Sequence, residues 1–197
     1  MSEEPTPAQA RPRPVEILDR ALADWLSAFT VPGELAGEMA DACAAGAEWP
    51  GAVAAVAARE ADWEDAHAMA WGIAVGAQAG ALEAARRSLE TEAGVNPAER
   101  PRPADGPATS LLASDALVAG AHEALSSLSP DRLAEALEMM ERVFGGGGPW
   151  CGVASGRSES AAALGLALLP LGDRRPSGEL AELVEAARER ARSVGRG

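Results

Sequence analysis

The run READWEDAH, residues 59–67, holds the densest group of side chains able to do chemistry. Glu60, Glu64 and Asp65 stand at i, i+4 and i+5, a spacing that on one continuous helix converges three carboxylates toward Mg²⁺. Glu64 and His67 also repeat the Glu-x-x-His spacing of di-iron bundles. A di-iron site needs a second such pair and two further acids, and His122, the other histidine, has Ala119 three residues before it. A solvated acidic face is the plainer account. An Mg- or Fe-dependent enzyme using Glu60, Glu64 and Asp65 therefore ranks third among the functional readings, and no resident cofactor is expected otherwise.

Other residues suggest binding rather than reaction. Gly72, Gly76 and Gly80 fall one turn apart, and each glycine costs a helix about 1 kcal/mol against alanine, so close packing of another backbone is the natural compensation. The less favoured alternative is a groove for an apolar ligand. Gln78, on the same apolar stretch, needs a partner wherever it is buried. Asp115 and His122 lie two turns apart, about 10 Å along a helix, too far to touch. A buried, satisfied Asp and a His at the edge of the core are expected, rather than a proton-transfer pair. Gly156-Arg157-Ser158 echoes the end of a phosphate loop, but Cys151 occupies the position of its first glycine and Arg replaces the lysine. That pattern does not support a nucleotide site.

Composition sets the wider frame. The 197 residues suffice for one hydrophobic core, and alanine supplies much of the 47% apolar content. A net charge of −13, with every base an arginine, argues against nucleic acid and anionic membrane as partners. Between Glu16 and Asp65 there are eleven acids and only two bases, Arg20 and Arg59. Cys43 and Cys151 form no metal or disulfide pattern, so a cytoplasmic location is expected. HAMAWGIAVGAQAGAL, residues 67–82, is too short and too polar to span a bilayer.

Helices must position all these groups. Residues 1–14 read as a disordered tail. Pro14 then opens a helix with Leu18, Leu22, Trp25 and Phe29 on one face, and residues 34–45 form a second with Leu35, Met39 and Cys43 inward. A long helical region runs from Trp49 to about Leu89, bent near Gly72. The four prolines of residues 91–109 make a long loop. Past it, a helix around Leu111–Leu128 and one from Pro130 with Leu133, Leu137, Met140 and Phe144 inward lead to a last helix from Glu179, capped by Ser177. No stretch alternates with period two, so the expected fold is all-α, a single helical bundle over residues 15–197.

On this organisation, ATSLLASDALVAGAHEAL (residues 108–125) resembles the A-x-x-L-A-G-D-x-L-L-x-x-A-F-E-L-L helix of the trans-isoprenyl diphosphate synthases, the polyprenyl synthetase family. GVASGRSES, residues 152–160, matches the register of that family's G-M-V-x-G-Q-x-x-D helix. AAALGLALLPLG and ELAELVEAARERARSVG look like its next helical pair. The resemblance implies an isoprenoid-synthase fold, truncated, and enzymes that bind three Mg²⁺ ions and an allylic diphosphate between two aspartate-rich motifs.

Several positions depart from the family. GALEAARRSLE, residues 80–90, puts Arg86 and Arg87 where the first acidic motif belongs, and Arg157 and Ser160 replace the Gln and Asp of the later helix. The second acidic motif is expected beyond Gly195. Without clustered carboxylates there is no cation clamp on departing pyrophosphate, which would supply most of the catalysis. The leading expectation is a non-catalytic regulatory or small subunit, as a homodimer or paired with a full-length prenyl synthase, that shapes its product cavity. A stand-alone carrier or sensor of an apolar, isoprenoid-like ligand comes second. Its pocket candidates are Trp71, Val75, Gln78, Leu82, Asp115, Val118 and His122, with Trp63 as a further wall.

Overall fold

The computed structural model describes residues 12–92, 107–144 and 159–194. Most of the expected N-terminal tail and of the Pro-rich loop lies outside these residues. So do Cys151 and the phosphate-loop-like run through Ser158. Among the described residues every regular element is helical: α1 (Arg13–Ser27), α2 (Gly33–Gly46), α3 (Glu48–Glu60), α4 (Asp65–Glu92), α5 (Pro107–Leu125), α6 (Pro130–Phe144), α7 (Glu159–Leu168), a 3-10 turn (Leu169–Leu171) and α8 (Gly178–Val194). None is long and apolar enough to cross a membrane.

The long helix expected from residue 49 to 89 is two helices, and the break falls at Asp62, not at Gly72. Asp62 adopts a left-handed φ of 63°. Its N–H donates to the Arg59 carbonyl, and the Trp63 N–H reaches back to the Ala58 carbonyl, both at 3.0 Å. This paired closure satisfies the last carbonyls of α3 with Asp in the place glycine usually takes, and buried Trp63 packs where the motif calls for an apolar residue. Glu64 then accepts the first backbone hydrogen bond of α4, from Ala68 at 2.8 Å.

Helices α3 and α4 form the centre. Packed side by side, they carry α2 and α5 on the α4 side, while α7, the 3-10 turn and α8 cover α3 and α1 lies across both. Residues 50–58 of α3 are buried throughout, and all but Pro50, Gly51, Val53 and Val56 are alanine. Alanine lets backbones approach, so the core gains from many close contacts rather than from bulky side chains. Bulk enters at the edges: Leu18 and Leu22 from α1, Met39 from α2, Leu117 and Leu125 from α5, and Leu180 from α8 are all buried.

Trp71 is fully buried, and its ring lies 6.1 Å from that of Trp63, tilted at 52°. Arg132 of α6 stacks its guanidinium over Trp63, 4.9 Å from the ring centroid. Trp25 and Phe29 meet edge-on at 4.8 Å and press on α5 at Gly120, leaving no room there for a side chain.

Candidate functional site: an ion cluster and a three-helix cleft

The READWEDAH acids do not converge. Because the chain breaks at Asp62, Glu60 ends one helix and Asp65 starts the next, and the i, i+4, i+5 spacing no longer describes one surface. Each acid has another engagement. Arg59 donates to Asp65 at 2.7 Å, the Ser177 hydroxyl donates to Glu60 at 3.4 Å, and Glu64 lies 4.0 Å from the His67 ring. Ser177 sits at the N-cap position of α8, its carbonyl accepting from the Ala181 N–H at 3.2 Å, while its side chain ties the start of α8 to the end of α3. Among the described residues no three His, Cys, Asp or Glu side chains gather as a metal site.

Gly72, Gly76 and Gly80 face packed structure rather than open space. A side chain at Gly72 would meet Ala55 and the Gly51 carbonyl at 2.9 Å; one at Gly80 would meet the Cys43 sulfur at 2.8 Å. At Gly76 the nearest atom is a Leu22 methyl at 3.2 Å. Cys43 is consequently sealed, and burial pushes its thiol up to about 12.

One turn further along α4 comes the stretch where the family resemblance places acids. Here the arginines are used internally. Arg86 donates to both oxygens of Glu83, at 2.9 and 2.6 Å, and Arg87 adds a third bond at 3.0 Å. Arg87 also reaches α2, donating to the Asp41 carbonyl at 3.2 Å and lying 3.6 Å from buried Glu38. The buried hydroxyl of Ser110 closes the cluster by donating to Glu38 at 2.9 Å. Burial pulls the Glu83 carboxyl upward, but the hydrogen bonds and charges of Arg86 and Arg87 outweigh it and hold the group below its ordinary range. The cluster therefore joins α2, α4 and α5 by matched charge, with its arginines turned to protein carboxylates.

Beside it lies an open cleft of about 470 Å³. Gln78, Ala81 and Leu82 of α4 form one wall and Ser114, Val118 and His122 of α5 the second. Leu137, Met140 and Glu141 of α6 form the third. Each triplet follows helical spacing, so three helix faces meet along a shared groove. The groove exists because α6 packs on α7, while its contacts with α4 and α5 are sparse. Leu137, expected inward, is 43% exposed for the same reason.

Of the seven pocket candidates, Gln78, Leu82, Val118 and His122 line this cleft. Trp71 and Val75 share a helical face with Gln78 but are buried in the core further toward the α4 N-terminus, and Trp63 is buried beside Trp71. Asp115, expected buried and satisfied, is exposed: Ser114, Val118 and His122 are the α5 positions that face the groove, and Asp115 is turned about 100° from Ser114. His122 is exposed as well and donates from Nδ1 to the Val118 carbonyl at 2.8 Å. Ser114, Ala81, Leu137, Met140 and Glu141 were missed. No local signal marked the last three, because Leu137 and Met140 belong to the regular apolar stripe of α6 and Glu141 borders it.

No family model matches the chain, and no curated protein does. Among solved structures, a chain of "Mint deletion mutant of heterotetrameric geranyl pyrophosphate synthase in complex with ligands" superposes with a TM-score of 0.52 at 18% identity, over 88% of this chain and 76% of that one. The fold is prenyl-synthase-like. At this identity the likeness speaks for the helical architecture alone, which agrees with the all-α bundle read from the sequence.

Proposed function

We propose that this chain is a non-catalytic subunit that pairs with a catalytic prenyl synthase and shapes its product cavity. The observation that carries this reading is the Glu38–Glu83–Arg86–Arg87–Ser110 cluster. Arginines stand at the α4 positions where catalysis would need carboxylates, and they are bound to protein acids rather than offered to a diphosphate. Two further facts support it. The matched structure is described as a heterotetrameric synthase. Leu111 and Leu112 on α5 are 52% and 58% exposed, adjacent apolar side chains suited to burial against another subunit.

The test mixes the purified chain with full-length prenyl synthases from the same source and follows both co-elution and product length. A complex with altered product length is expected, and Leu111→Glu with Leu112→Glu abolishes it. Mg²⁺-dependent turnover of an allylic diphosphate by the isolated chain, or no complex with any synthase, overturns the proposal.

The three-helix cleft favours a second reading, a carrier or sensor of an apolar ligand. Its volume lies within the roughly 300–1,000 Å³ typical of small-molecule pockets, and a few polar groups interrupt an apolar wall.

A further inference from the structure

The chemistry of the cleft lining narrows what it can hold. Its polar members are Gln78, Ser114, His122 and Glu141, with neither Arg nor Lys among them. A phosphate or diphosphate settling in a largely apolar groove needs paired cations, because its charge otherwise gives up water without compensation. Glu141 adds like-charge repulsion. The nearest basic side chain on α6, Arg142, is turned outward to Glu138 at 2.5 Å.

What the lining does offer is neutral hydrogen bonding. Gln78 is only 6% exposed, and among the described residues its amide has no hydrogen-bonding partner while it faces the groove. The amide is not among the sealed, unpartnered polar atoms of the described residues, so it opens on the groove and offers a donor and an acceptor there. His122 adds an acceptor. With its Nδ1 proton given to the Val118 carbonyl, the neutral ring keeps Nε2 as a lone-pair site.

We infer that the cleft between α4, α5 and α6 binds an uncharged apolar molecule with one hydroxyl head, an alcohol of the long-chain or branched aliphatic class, and discriminates against its phosphate esters. The hydroxyl accepts from the Gln78 amide N–H and donates to the Gln78 carbonyl or to His122 Nε2. Leu82, Val118, Leu137 and Met140 enclose the hydrocarbon. This inference rests on the second reading above, the cleft as a ligand site.

Isothermal titration of the full chain with dodecanol against dodecyl phosphate, and with farnesol against farnesyl diphosphate, tests it. Each alcohol is expected to bind at least about tenfold more tightly than its ester, the equivalent of about 1.4 kcal/mol. Gln78→Leu should weaken alcohol binding by about tenfold, the scale of one buried hydrogen bond. His122→Phe, at an exposed position that tolerates change, should weaken it less and serves if the Gln78 variant does not fold. Val118→Trp fills the groove and should remove binding of every probe. Esters binding as tightly as alcohols overturn the inference but leave the cleft a ligand site. Alcohol binding indifferent to both polar variants overturns it equally. Binding of no probe overturns the inference and the carrier reading together.

Discussion

Gly51 of α3 and Gly72 of α4 present bare backbone to each other: a Cβ on either would stand within 3 Å of the other's carbonyl oxygen, at 2.7 and 2.9 Å. The atoms opposed are main-chain atoms, which cannot swing aside, so a single methyl must push the two central helices apart. Gly51→Ala or Gly72→Ala is expected to cost about 1–3 kcal/mol, at the scale of an overpacked core. For a chain this size that is a fall of several degrees in Tm, about 2–4 °C per kcal/mol, read by thermal unfolding. Gly37, inside α2 with nothing within 4 Å of its added Cβ, is the control. Gly37→Ala should raise stability by about 0.5–1 kcal/mol.

Glu83 predicts a pH dependence. Folding lowers its pKa from the ordinary 4.5, because Arg86 and Arg87 favour the charged form more than burial opposes it. The stabilisation is therefore present above about pH 4.5 and disappears as pH falls through the lower folded value. Glu83→Gln should destabilise the protein at pH 7 by about 1–3 kcal/mol, the scale of hydrogen bonds to charged partners. In urea melts the gap between wild type and variant should close as pH drops below the ordinary carboxylate value. A gap constant from pH 7 to pH 3 would contradict the cluster.

Cys43 should be chemically silent. A thiol pushed to about 12 and packed against Gly80 exposes no thiolate at neutral pH. Peptide mapping after iodoacetamide at pH 8 should find Cys43 unmodified in the native protein and fully alkylated in guanidinium.

The α3–α4 turn offers a backbone test. Asp62 holds a φ of 63°, and its side chain makes only an exposed contact with Arg174 at 3.5 Å. Asp62→Gly should be neutral or stabilising by up to about 1 kcal/mol, while Asp62→Val, β-branched in the left-handed region, should lose about 1–2 kcal/mol. Equal stability of the two variants would argue against the closure at Trp63.

Much of the architecture was legible because helical periodicity survives even in an alanine-rich chain. Leu18 and Leu22, Met39 and Cys43, and Leu180, Leu183 and Val184 are buried where their spacing put them. The break at Asp62 was not legible. DWED contains neither glycine nor proline, and an Asp in the left-handed region leaves no compositional trace. The cleft was half legible. Gln78 and His122 stood out as polar groups on apolar helices, but the stripe Trp71, Val75, Gln78, Leu82 gives no hint of where along α4 the covering helix lifts away. That depends on α6 choosing α7 as its neighbour, a long-range preference that no local pattern encodes.

The alanines of α3 have a thermal consequence. Methyl groups have no rotamers to freeze, so ordering them forfeits no side-chain entropy, and unfolding them bares little apolar surface to water per residue. The heat-capacity increment of melting should accordingly be small for a chain of this length, giving a shallow, wide stability curve that changes little on cooling.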